Sequence, residues 1–132
     1  MSEARACVLL VDDEPEQIEL YRYGLEQEGF VVRAATGGPA AIAQAQSATP
    51  DAIVLDLRMP DMDGWQVCAH LKSDSRTSRI PIVILTAAAS PALGKEVERA
   101  KCAAFLIKPC YPSDLASTLR AVMRAEPPKF GV

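Results

Sequence analysis

The stretch that most constrains the fold is Asp51–Gly64. Four apolar residues, Ala52–Leu55, follow Pro50 and form a run that is too short for a helix. Such a run is typical of a strand that is buried on both faces of a parallel sheet. The run ends at the carboxylate of Asp56, and turn-forming residues follow it. Because burying a charge is costly without a partner, Asp56 is either a loop cap or part of a binding site at the sheet edge.

Short apolar runs of this kind alternate with amphipathic stretches along the whole chain. Five strands that alternate with five helices predict an α/β fold, a flavodoxin-like, doubly wound parallel sheet with strand order 2-1-3-4-5. Gly29 predicts the end of the first helix, and Ser90 with Pro91 predicts the start of the fourth. The predicted strands are residues 7–11, 30–35, 52–55, 80–86 and 103–107, and the predicted helices begin near Pro15, Thr36, Gly64, Ser90 and Pro112.

Length and composition limit the function classes. A chain of 132 residues is one domain, which we expect at residues 1–125, with 126–132 as a tail or the start of a linker. The net charge of −3 and the lack of a basic run argue against direct nucleic-acid binding. No apolar stretch reaches the roughly 20 residues of a membrane span. We therefore expect a cytoplasmic protein whose four cysteines are reduced and mainly structural.

Polar residues follow four of the five predicted strands. Asp12 and Asp13 come after the first strand, Asp56 after the third, Thr86 ends the fourth, and Lys108 follows the fifth. The carboxyl ends of parallel strands meet at one edge of the sheet, which is where ligands bind in open α/β folds. The sequence therefore predicts a site at this edge.

The chemistry of these groups points to phosphoryl transfer. Three converging carboxylates repel each other and need a cation, and hard oxygen ligands favour Mg²⁺ or Mn²⁺. Lys108 is suited to one phosphoryl oxygen, and the Thr86 hydroxyl can donate a hydrogen bond to another. Asp56 is then the natural attacking group, and its product would be an aspartyl phosphate.

The ordered set of motifs resembles the receiver domain of two-component response regulators, in the single-domain form of chemotaxis regulators. The resemblance covers about residues 7–125. It rests on the acids and on the residues that accompany them: Asp12-Asp13, Asp56 with Met59-Pro60 and Asp63-Gly64, Thr86-Ala87, and Phe105 to Lys108-Pro109.

The resemblance implies a metal site and a phosphoacceptor. Asp56 would take a phosphoryl group from the phosphohistidine of a sensor histidine kinase or phosphotransfer protein. Asp13 and Asp56 would ligate Mg²⁺ directly, Asp12 would do so mostly through water, and the backbone carbonyl of Arg58 would add a ligand. The domain would catalyse only its own phosphorylation and dephosphorylation, so it would not be an enzyme acting on other substrates.

The resemblance also implies a switch. Lys108 would pair with Asp56 and then with the phosphoryl group, and the Lys108–Pro109 peptide bond would be cis. Thr86 would move towards the phosphate, and Phe105 would follow as the switch aromatic. The altered surface would be helix 4, strand 5 and helix 5, which would bind a downstream protein or a second copy of the chain.

Two departures from the family pattern stand out. Lys101 replaces the glycine that usually ends the fourth helix, so a lysine must adopt the backbone shape of that glycine. The acids that usually precede the switch aromatic are missing. In addition, the alanines at positions 87–89 offer no side chain to orient an attacking water.

Three other functions compete with this interpretation. A flavodoxin-like protein could bind FMN or a nucleotide, but Asp12 and Asp13 would repel a phosphate after the first strand. A metal-dependent phosphatase would need a deeper pocket than such short loops provide. A receiver could also keep the fold and act as a scaffold without phosphorylation.

Overall fold

The computed structural model describes residues 5–124. Parallel strands alternate with helices throughout this part of the chain. The strands are β1 (Cys7–Val11), β2 (Val31–Ala35), β3 (Ala52–Leu55), β4 (Ile82–Thr86) and β5 (Ala104–Ile107), and the helices are α1 (Pro15–Gln27), α2 (Gly38–Ser47), α3 (Gly64–Ser73), α4 (Leu93–Arg99) and α5 (Pro112–Arg124).

The five strands form one sheet in the order β2-β1-β3-β4-β5, and all neighbouring strands are parallel. The predicted doubly wound fold is therefore confirmed. In the register of the sheet, Val11 of β1 lies beside Leu55 of β3, and Thr86 of β4 lies beside Ile107 of β5. The residues that follow these positions consequently meet at one edge.

The sheet separates two apolar cores, one on each face. Helices α1 and α5 cover one face, where Tyr21, Leu25 and Leu115 are almost completely buried. Helices α2, α3 and α4 cover the other, where Val67 and Val97 are buried. All residues of β3 and β4 are buried, as expected for central strands covered on both faces.

Helices α1 and α4 end with the same backbone geometry. Each end forms the two hydrogen bonds of a Schellman motif. In α1 the Gly29 N–H donates to the Glu26 carbonyl and the Phe30 N–H donates to the Leu25 carbonyl. In α4 the corresponding bonds join Lys101 to Glu98 and Cys102 to Val97. The residue in the left-handed region is Gly29 (φ 99°) in the first case and Lys101 (φ 62°) in the second. Both predictions about these two residues are confirmed.

Some predicted boundaries were wrong. Strands β2 and β5 begin one residue later than predicted, and β4 begins at Ile82 because Ile80 belongs to a turn that closes on Thr77. Ser90 does not cap α4: residues 91–92 form a turn, and the helix begins at Leu93 without a side-chain cap. The carbonyl of Ser90 accepts the Leu93 N–H instead.

None of the helices within residues 5–124 is long and apolar enough to cross a membrane. The predicted tail at residues 126–132 lies outside the described residues.

Candidate functional site

Strands β1 and β3 bring three carboxylates together. Asp12 and Asp13 directly follow β1, and Asp56 directly follows β3. Because the two strands are in register as neighbours, one carboxylate oxygen from each acid lies within 4.8 Å of the others. Asp12 and Asp56 are buried, whereas Asp13 is half-buried. The structure therefore places the three carboxylates that were predicted as metal ligands in one cluster.

Lys108 bridges two of these acids. Its Nζ lies 2.6 Å from Asp12 Oδ2 and 3.3 Å from Asp56 Oδ2. Burial acts to lower the pKa of Lys108, but the hydrogen bond to Asp12 and the charges of Asp56 and Asp12 outweigh it and raise the pKa. The resemblance implied pairing with Asp56, and the structure adds a shorter contact with Asp12. The Lys108–Pro109 peptide bond is cis.

Backbone amides fix the orientation of both buried carboxylates. The N–H of Glu14 donates to Asp12 Oδ1 at 3.0 Å, and the N–H of Arg58 donates to Asp56 Oδ1 at 3.3 Å. The other oxygen of each acid faces Lys108. Each carboxylate thus has one oxygen held by the loop that follows its own strand. The backbone N–H of Arg58 thus contacts Asp56 in the structure. The role of the Arg58 carbonyl as a metal ligand stays a prediction.

The two predicted switch residues lie on neighbouring strands but differ in exposure. Thr86 is completely buried, and its hydroxyl oxygen accepts the N–H of Ala88 at 3.0 Å. Phe105 on β5 is 39% exposed, and its ring lies next to Gly94 of α4, where an added Cβ would be 3.8 Å from a ring carbon. The side chain of Phe105 is therefore directed away from the core and towards α4.

The loop after Asp56 is anchored from within. Asp63 and Gln66 form a capping box at the start of α3, with each side chain bonded to the backbone N–H of the other residue. A Cβ on Gly64 would lie 2.6 Å from the carbonyl oxygen of Asp56, so only glycine allows this close approach. The Asp63–Gly64 pair therefore fixes the first turn of α3 against the Asp56 backbone.

The cluster opens into a cleft of about 440 Å³. Asp56, Thr86 and Lys108 line it together with residues of α1, including Gln17 and Leu20. The sequence analysis missed these α1 residues because their polarity or exposure is ordinary for a surface helix. Their only signal is their place in the first turns after Asp12 and Asp13.

The donor set fits a divalent cation. The potential ligands in the cluster are carboxylate oxygens, and no histidine or cysteine belongs to it. One of these oxygens, Asp12 Oδ2, is within hydrogen-bonding distance of the Lys108 ammonium. Hard oxygen donors of this kind suit Mg²⁺ or Mn²⁺. Asp12, Asp13 and Asp56 are therefore the residues that would hold such an ion.

Comparison with known proteins decides the family. The family model described as the response regulator receiver domain matches residues 8–120. The chain belongs to this family. Its fold also matches the chemotaxis protein CheY4 of Vibrio cholerae, with a TM-score of 0.85 and 34% identity over 90% of this chain and 99% of that chain. A putative response regulator from Chloroflexus aurantiacus matches with a TM-score of 0.87 and 27% identity, over 92% of this chain and 100% of that one.

Curated relatives of this receiver domain are longer proteins. The response regulator PleD of Caulobacter vibrioides is 37% identical over 90% of this chain, and this chain spans 26% of its length. The phosphate regulon transcriptional regulatory protein PhoB of Escherichia coli is 35% identical over 89% of this chain, which spans 51% of that protein. The match to these relatives therefore concerns their receiver portion.

Proposed function

We propose that this receiver domain is a phosphorylation-controlled switch in which Asp56 accepts a phosphoryl group from the phosphohistidine of a sensor histidine kinase or phosphotransfer protein. The observation that carries the proposal is the contact of Lys108 with Asp12 and Asp56, beside a cleft that Lys108 and Asp56 line. An ammonium group on a half-buried side chain, next to a buried carboxylate, provides the charge that a phosphoryl group needs as it reaches that carboxylate.

The reaction needs little covalent machinery. The Oδ2 atom of Asp56, which faces Lys108, attacks the phosphorus atom, the bond from phosphorus to the histidine nitrogen breaks, and the electron pair stays on that nitrogen. Lys108 would move from Asp56 to a phosphoryl oxygen, and the Thr86 hydroxyl would donate to another. The Arg58 N–H, already bonded to Asp56, keeps the attacking carboxylate in place.

Asp12, Asp13, Asp56 and the carbonyl of Arg58 would hold Mg²⁺ during this reaction. The ion would neutralise charge on the phosphoryl oxygens and position them for in-line attack. Asp13 is the member of the cluster that is half-buried and has no ion pair among the described residues, so it is free to ligate without breaking the Lys108 contacts.

Phosphorylation would alter the face formed by α4, β5 and α5. Movement of the buried Thr86 hydroxyl towards the phosphate leaves space beside β4, which Phe105 on β5 can fill by turning inward. The apolar residues exposed on this side, Phe105, Ile107 and Tyr111, suit a downstream protein or a second copy of the domain. We place this activity in the cytoplasm, and the chemistry is directed only at the domain itself.

Incubation with acetyl phosphate and Mg²⁺ tests the phosphoacceptor. Intact-mass measurement should show one added phosphoryl group in the wild type and complete loss of uptake in Asp56→Asn. The matched control is Asp61→Asn, because Asp61 is an exposed acid on the same loop. Stoichiometric uptake by Asp56→Asn would contradict the assignment, and loss of uptake in Asp61→Asn would point to a general effect of the loop.

The switch has its own test, in NMR spectra recorded with a fluoroberyllate mimic of the phosphoryl group. We expect shifts to extend from Thr86 to Phe105 and into α4, and to be reduced in Thr86→Ala. The free-energy gap between the two states should be about 1–3 kcal/mol, since only packing holds the Phe105 ring outside. Shifts confined to the Asp56 loop would exclude the Thr86–Phe105 switch while leaving the phosphoacceptor intact.

A further inference from the structure

Two cysteines outside the phosphoacceptor site lie in contact. Cys68 is on α3, Cys102 follows the end of α4, and their sulfur atoms are 3.2 Å apart although 34 positions separate them in the chain. The other two cysteines, Cys7 and Cys110, have no such sulfur contact within residues 5–124. This pair could not be predicted, because spacing along the chain does not report which distant residues lie in contact.

Little movement would join the two sulfur atoms. A disulfide has an S–S length of about 2.05 Å, so the sulfur atoms need to approach by about 1.2 Å. Cys68 is held within α3 and is 1% exposed. The backbone of Cys102 is held by the bond from its N–H to the Val97 carbonyl. The pair is thus positioned by the fold itself.

The two thiols differ in acidity. The hydrogen bond with Cys68 lowers the pKa of Cys102, and the ammonium of Lys72 lowers it further against the effect of burial. The hydrogen bond to Cys102 and burial raise the pKa of Cys68. Lys72 is itself fixed, because its Nζ donates to the carbonyls of Ser78 and Ile80. The directions of these pKa shifts favour Cys102 over Cys68 as the thiol that ionises.

Access from solvent has the same asymmetry. Cys102 is half-buried, whereas Cys68 is closed off. A small oxidant can therefore reach Cys102 more readily than Cys68.

We propose that Cys68 and Cys102 form a reversible intramolecular disulfide when a hydroperoxide oxidises the protein. The Cys102 thiolate attacks a peroxide oxygen, so an S–O bond forms, the O–O bond breaks, and the leaving hydroxide takes up a proton to become water. The Cys68 sulfur then attacks the sulfenic sulfur, the S–O bond breaks, and the Cys68 proton leaves in a second water. Two thiols and one hydrogen peroxide give one disulfide and two waters, and a dithiol reductant restores the thiols.

The primary test uses the wild-type protein with one equivalent of hydrogen peroxide. Alkylation after acid quenching and denaturation should modify only two of the four cysteines. A peptide map should show a cross-link between the Cys68 and Cys102 peptides, and dithiothreitol should restore all four thiols. Four alkylated cysteines after treatment, or random pairing of cysteines at equal yields, would overturn the proposal.

Variants separate the roles of the two thiols. In Cys68→Ser, oxidation should stop at a sulfenic acid on Cys102 that a dimedone reagent captures, and in Cys102→Ser both signals should be lost. Cys110→Ser is the matched control, since it removes a half-buried cysteine outside the pair and should keep the cross-link. Circular dichroism verifies that each variant is folded. Capture of sulfenic acid on Cys68 in Cys102→Ser, at the wild-type rate, would contradict the assigned order.

The disulfide would also restrain the switch, a consequence that rests on the proposed function. It would tie α3 to the turn between α4 and β5, so the response of that turn to phosphorylation should be lost. Oxidised protein should take up the phosphoryl group at Asp56 as the reduced form does, but without the NMR shifts in α4 and β5. Equal shifts in both forms would overturn this coupling. Failure of the reduced form to be phosphorylated would instead contradict the proposed function.

Discussion

The ends of β1 and β3 and the segment from α4 to β5 are held by very different means. In the first region every residue of β3 is buried, and the carboxylates of Asp12 and Asp56 each accept a hydrogen bond from a backbone N–H. Lys108 forms ion pairs with both carboxylates. The other segment begins with the seven-residue helix α4, which has no side-chain cap, and continues with Lys101, whose backbone lies in the left-handed region. It ends in the edge strand β5, in which half-buried and exposed residues alternate.

This difference separates chemistry from response. Phosphoryl transfer needs groups that are already in place, since any reorganisation adds to the barrier. A conformational response needs two arrangements of similar free energy, and elements with few buried contacts are the ones that supply them. Ion pairs and backbone hydrogen bonds hold the acids, whereas half-buried and exposed residues alternate along β5, at the surface that the proposed switch would change.

Truncation of side chains gives the largest contrast between the two regions. Leu55→Ala, in the fully buried end of β3, should lower the free energy of unfolding by about 2–5 kcal/mol. Phe105→Ala should cost about 1 kcal/mol or less, because its ring is 39% exposed. Urea denaturation of both variants measures the difference, and equal losses would show that β5 is as firmly packed as β3.

Added Mg²⁺ should stabilise the acidic region. Binding to the native state raises the free energy of unfolding by about 2.7 kcal/mol at 100 Kd, because the ion relieves the repulsion among Asp12, Asp13 and Asp56. Melting curves of protein freed of metal, with and without added Mg²⁺, measure this effect. Asp13→Asn should lose most of it and Asp61→Asn should keep it. An identical Tm across the titration would contradict the metal site.

Substitution of either residue in the left-handed region should change the free energy of unfolding least. The two substitutions should act in opposite directions. Gly29→Ala should destabilise the protein by about 1 kcal/mol, because a side chain is strained at φ 99°. Lys101→Gly should stabilise it by about 0.5 kcal/mol, since relief of the strain at φ 62° exceeds the added entropy of the unfolded chain. Urea denaturation checks both variants. Destabilisation by Lys101→Gly would mean that the lysine side chain contributes contacts of its own.

The sequence predicted the strands and the positions of the acids because both depend on local information. A buried strand is read from its own run of apolar residues, and parallel strands bring their carboxyl ends to one edge whatever the loops do. The predicted start of α4 was wrong because it used local information alone. Ser90 and Pro91 are a common capping pair, but the chain forms a turn before the helix begins. Local propensity does not decide between a turn and a first helical turn.

Two contacts between distant elements could not be predicted. The approach of Lys108 to Asp12, rather than to Asp56 alone, depends on the relative positions of β1 and β5 at the sheet edge. The contact of Cys68 with Cys102 depends on how α3 packs beside the end of α4. Neither is fixed by residue type or spacing, so both required the three-dimensional structure.

The bridge formed by Lys108 also sets the charge balance of the site. Three ionised carboxylates and one ammonium leave two negative charges, the amount that one divalent ion neutralises. A monovalent ion would leave an excess charge among groups that are largely shielded from water. An aspartyl phosphate carries about one negative charge more than the carboxylate it replaces. The phosphorylated, metal-bound site would therefore hold a single unbalanced negative charge, and the buried Thr86 hydroxyl, one strand away, would be a neutral donor to it.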